Sequence, residues 1–84
     1  MKIYRAASGE IERVPLEGPH VTLAELQRAV GGYIEAIPGA RIGRAFCNED
    51  GRNLGLPLND AASVRFRQVL FGDVVELEPG ERHK

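Results

Sequence analysis

The sequence predicts an α+β domain: a mostly antiparallel sheet of five or six strands with two short helices. Three observations carry this. Two segments place apolar residues at helical spacing behind a capping residue. Several short apolar or alternating runs are separated by Gly, Pro, Asn and Asp. The chain has 84 residues, 43% apolar and 27% charged, which bounds a single soluble domain with a thin core. The domain is expected over residues 1–78, with 79–84 a flexible polar C-terminal tail.

Residues 2–6 and 10–15 read as two strands around Ala7-Ser8-Gly9. Ile3 and Arg5 face one way, and Lys2, Tyr4 and Ala6 the other. The Ser-Gly pair supplies the positive-φ position of a tight hairpin. Pro15, Gly18 and Pro19 end the ladder.

Thr22-Leu23-Ala24-Glu25 has the form of a capping box, and Val21 and Leu26 are placed for a hydrophobic staple. Leu23, Leu26, Ala29 and Val30 form the apolar stripe of the first helix. Glu25, Gln27 and Arg28 cover its solvent side, and Gly31-Gly32 ends it.

Tyr33 to Ile37 reads as a strand stopped by Pro38-Gly39, and Arg44 to Cys47 as another. Asn48-Glu49-Asp50-Gly51 reads as a type I hairpin turn with Gly51 left-handed. Arg52 to Leu56 then returns along the preceding strand until Pro57. Asn59 or Asp60 caps the second helix, whose apolar face is Ala62, Phe66, Val69 and Leu70, with Val64 at its flank. Gly72-Asp73 turns into the last strand, Val74 to Glu78.

The order is β-β-α-β-β-β-α-β. Its β-β-α-β opening matches a ubiquitin-like β-grasp; the alternative is a small α+β sheet with both helices on one face. Neither carries a function.

Composition excludes several classes. Net charge is −1, so general attraction to nucleic acid is absent. No apolar run reaches membrane-spanning length, and the start has no apolar signal region. Cys47 is alone, which rules out an internal disulfide and suits a reducing bacterial cytoplasm. His20, His83 and Cys47 are scattered without metal-ligand spacing, so neither metal nor cofactor is expected. Glu10/Glu12 and Glu76/Glu78 read as solvent faces of strands. No nucleophile has a nearby base, so the chain reads as no enzyme.

Four pieces, in order and spacing, resemble a family of small uncharacterised domains, domain of unknown function 3846. They are the Met1-Lys2-Ile3 start with Gly9-Glu10-Ile11-Glu12, Val30-Gly31-Gly32-Tyr33-Ile34-Glu35, Asn48-Glu49-Asp50-Gly51 with Gly55-Leu56-Pro57 and Asn59, and Gly72-Asp73-Val74-Val75. They span most of residues 1–77. Asn53-Leu54 departs from the more charged pair usual before Gly55. The resemblance implies a setting in bacteriophages and mobile elements. It implies an accessory, anti-defence type of protein that binds a host or defence protein, or sequesters a nucleotide signal.

Two groups of residues are candidates for such binding. Asn48, Asn53 and Asn59 carry carboxamides that donate and accept, over a floor of Leu54, Leu56 and Leu58; Tyr33 offers a ring for stacking. Arg41, Arg44, Arg52, Arg65 and Arg67 fall within residues 41–67, where they meet only Glu49, Asp50 and Asp60. Guanidinium forks of this kind match phosphate or an acidic protein surface. The simpler readings are a turn with a helix cap for the first group and solvated charge for the second. A nucleic-acid-binding regulator using the arginines, and less so a small nucleotide-modifying enzyme, are the rival functions. A homodimer is compatible with a thin core and a free strand edge.

Overall fold

The computed structural model describes residues 1–41 and 43–83. The elements run β1 (Lys2–Tyr4), β2 (Ile11–Arg13), α1 (Leu23–Val30), β3 (Ile34–Ala36), β4 (Ala45–Asn48), α2 (Asp60–Phe66) and β5 (Val74–Glu76). One five-stranded sheet has the order β2-β1-β5-β4-β3, and every neighbouring pair is antiparallel. The α+β class therefore holds, with five strands.

Strand alternation divides the core into two layers. Ile3, Phe46 and Val75 point to one face, where they pack with Val21, Leu26 and Val30. Their sequence neighbours Tyr4, Ala45, Cys47 and Val74 point to the other, against Ala62, Leu70 and Phe66. The two helices thus cover opposite faces, unlike the one-face alternative. The β-grasp alternative also fails. Such a fold sets its first and last strands parallel, whereas β1 and β5 pair antiparallel, with Ile3 opposite Val75.

The return strand expected at Arg52–Leu56 does not form. Both edges of β4 are already occupied, by β3 and β5. The segment winds instead through local turns, with Leu54 N donating to Asp50 O at 2.8 Å and Leu56 N to Gly51 O at 3.0 Å. Gly51 is not the left-handed residue of this region; Gly55 is, with φ 68°. Glycine is needed at 51 because a Cβ would stand 2.9 Å from Phe71 O.

α1 opens with the full capping box and closes at Gly31, φ 76°. Val21 and Leu26 are both fully buried, as a staple requires. Two expectations for this helix reverse. Leu23 is half exposed, and Glu25 is buried. The Glu25 carboxylate accepts from Thr22 N, Thr22 Oγ1 and Glu17 N, which satisfies it inside. The second helix ends at Phe66, so Val69 and Leu70 lie beyond it; Val64 and Val69 are exposed rather than in the core, and Leu70 is buried.

Residues 79–83 do not fray. Arg44 donates to the carbonyls of Leu77, Glu78 and Glu81. The Met1 amine donates to Glu81 Oε2 at 2.7 Å, and Val21 N to Arg82 O at 2.7 Å. His83 sets its ring edge-on to Phe46. This C-terminal strap is part of the packed unit; Lys84 lies outside the described residues.

Candidate functional site

α2 is placed by one side chain. Asn59 accepts from Ala62 N at its N-cap and donates to Tyr4 O and Gly72 O, both at 2.8 Å. The cap is thereby tied to β1 and to the approach to β5. The seven-residue helix is closed by its C-cap Arg67, whose backbone is left-handed at φ 56°. Gln68 Nε2 then donates to Pro38 O at 2.6 Å, so the end of α2 is joined to the turn after β3.

This placement leaves part of the α2 face of the sheet uncovered. A groove of about 1240 Å³ lies there. It is lined by Arg65, Phe66 and Arg67 at the end of α2, by Gly39, Ala40 and Arg41 after β3, by the chain from Glu76 to Gly80, and by Lys2 and Arg44.

The charges in the groove are unequal. Lys2, Arg41, Arg44, Arg65 and Arg67 meet two carboxylates, Glu76 and Glu78. Glu76 accepts from the Tyr4 hydroxyl at 2.5 Å and from Arg65 Nη2 at 2.8 Å, with Lys2 Nζ at 4.0 Å. Burial works against this carboxylate, but Tyr4, Arg65 and Lys2 outweigh it and hold its pKa below the ordinary value. Burial, and then the Glu76 charge, push the Tyr4 phenol up. Glu78 accepts from Arg13 Nε at 3.0 Å and faces the Met1 amine at 3.9 Å. Arg44 is spent on the strap carbonyls. Arg41 and Arg67 have no hydrogen-bond or ion-pair partner for their guanidinium groups among the described residues. The net positive character of the groove therefore sits on these two side chains.

Of the residues expected to form a site, Arg44 and Arg65 line this groove, together with Arg41 and Arg67 of the arginine set. The others lie elsewhere. Asn48 is buried; it donates to Val30 O at 3.1 Å and accepts from Asp50 N at 2.8 Å, pinning the end of α1 to the turn after β4. Asn59 is buried in its cap. Arg52 stacks over Phe71, 5.4 Å from its centroid. Asn53 and Leu54 are exposed, and Leu56 packs where a Gly72 side chain would be. Tyr33 is 69% exposed next to edge strand β3. The Asn–Leu stretch and the arginines do not share a cleft.

Lys2, Phe66 and Glu76 belong to the groove, and residue-by-residue reading missed them. The signal was the Lys2–Glu76 cross-strand pair, which is visible only once β1 is known to lie beside β5. Arg65 lies over the Phe66 ring at 5.4 Å, a cation–π contact at the edge of the groove.

The wider chemistry is sparse. Cys47 is buried; burial, with Glu35 adding to it, pushes its thiol up to about 11, so it stays protonated. Among the described residues no group of three His, Cys, Asp or Glu is placed to hold a metal. Among them, too, no helix is long and apolar enough to cross a membrane.

A family model described as a domain of unknown function, DUF3846, matches residues 1–84. The chain belongs to that family. No curated protein and no solved structure matches the chain.

Proposed function

We propose that this member of the DUF3846 family is a non-enzymatic binding protein whose basic groove receives an anionic partner. The observation that carries the reading is that Arg41, Arg44, Arg65 and Arg67 line one groove with Lys2, and that the Arg41 and Arg67 guanidiniums have no partner among the described residues. An unpaired arginine facing a cleft keeps its planar fork free for phosphate or carboxylate oxygens. Glu76 is held in its charged form by three partners and is a poor proton acceptor, which favours binding over acid–base chemistry. The setting proposed from the family resemblance is the bacterial cytoplasm. There an accessory protein of a phage or mobile element would engage a host protein or withdraw a nucleotide signal.

The test is thermal unfolding of the protein against inorganic phosphate, nucleotides and an acidic peptide. At least one anion should raise the midpoint, and Arg41→Gln with Arg67→Asn should abolish the rise. If no anion raises the midpoint, the reading fails.

A further inference from the structure

We infer that the ligand of the groove is a mononucleotide, an inference that rests on the anion-binding reading above. Three features of the groove select it. The first is Arg67. Seven glycines hold left-handed backbone, and Arg67 is the one non-glycine residue that does so among the described residues. A side chain there carries a backbone strain that glycine would avoid, so an arginine stands at 67 against local preference. Together with Arg41 it offers the groove two forks without a partner among the described residues, a fit for a phosphate group.

The second feature is the pair of acids in the same groove. Glu76 and Glu78 are carboxylates already paired with cations. Their remaining lone pairs accept from hydroxyl or amino groups but repel further phosphates. A polyanionic strand running along the groove would meet these charges. A ligand with one phosphate end and a hydroxyl- or amine-bearing body would not. The third feature is the exposed Arg65 guanidinium, backed by the Phe66 ring 5.4 Å away; an arginine plane is a surface on which a base stacks. Phosphate, hydroxyl-bearing sugar and planar base together describe a nucleotide.

The experiment is a titration of isotope-labelled protein, followed by amide NMR, with three probes: each ribonucleoside 5′-monophosphate, sodium phosphate, and a single-stranded thymidine oligonucleotide. At least one mononucleotide should saturably shift amides of residues 39–41, 65–67, 76–78 and 80. It should bind about tenfold or more tightly than phosphate alone, and its base protons should contact the Arg65 side chain. Arg41→Gln with Arg67→Asn should weaken it by about tenfold or more. Asn accepts left-handed backbone, and unchanged thermal unfolding without ligand shows that the double variant folds. Equal binding of phosphate and mononucleotides overturns the inference and leaves the anion groove standing. So does tighter binding of the oligonucleotide with a steep salt dependence. Absence of groove shifts with every probe overturns both.

Discussion

Asn59 spends one carboxamide on three backbone groups: Ala62 N, Tyr4 O and Gly72 O. Replacing it with Ala removes a helix cap and two buried hydrogen bonds to carbonyls. Asn59→Ala should cost about 2–4 kcal/mol, the sum of a lost cap and two lost hydrogen bonds. A urea midpoint lowered at unchanged slope is the check; a shift under about 0.5 kcal/mol would mean water or rearrangement satisfies those carbonyls. The cap role was legible because Asn59 stands directly before an apolar helical run. Its other two bonds were not, since Tyr4 is 55 residues away. The same distance effect hid the true role of Asn48, whose carboxamide looks like a polar rim in sequence and serves Val30 O in the fold.

Among the elements, α1 was the most readable, because a capping box is local: Thr22 and Glu25 are three residues apart. What sequence could not supply was the burial of Glu25, which depends on Glu17 N arriving from the preceding loop. The Thr22 backbone bond is the main cause that holds the Glu25 pKa below its ordinary 4.5. A carboxylate depressed in the folded state contributes stability that is complete above its unfolded pKa and is lost as pH falls through the folded one. Stability should therefore decline on acidification below about pH 4.5, and Glu25→Gln should flatten that decline while lowering stability at neutral pH. Denaturant midpoints across the acid range decide it; parallel pH profiles for the two proteins would show that Glu25 contributes nothing. The mistaken return strand after β4 has the opposite lesson. The turn at Asn48–Gly51 was correctly seen, though not its backbone at Gly51, but whether a strand edge is free is a property of the sheet, and β3 and β5 had taken both.

At the scale of the whole molecule, polarity misled. Pro79 to Lys84 has the composition of a loose end, yet Arg44 and the Met1 amine hold the strap through charge-assisted hydrogen bonds. Composition reports which groups like water, not which carbonyls an arginine will collect. Deleting residues 79–84 should lower stability by about 2–4 kcal/mol, since charged hydrogen bonds contribute roughly 1.5–3 kcal/mol each and partial resolvation offsets some of that. An unchanged urea midpoint would show that the strap lies outside the cooperative unit. The α+β class was readable from helix and strand periods. The division into two core layers was not, because the face that each helix covers depends on strand order.

The ion pair between Met1 and Glu81 also makes the backbone nearly a closed loop, with Met1 N 2.7 Å from a carboxylate oxygen of Glu81. A short peptide joining the two ends, with a new opening cut in the exposed Ala7–Gly9 turn, would be a circular permutant of the same fold. Such a permutant keeps the proximity of the two ends and replaces the amine with a neutral amide. It separates what nearness contributes from what the positive charge contributes.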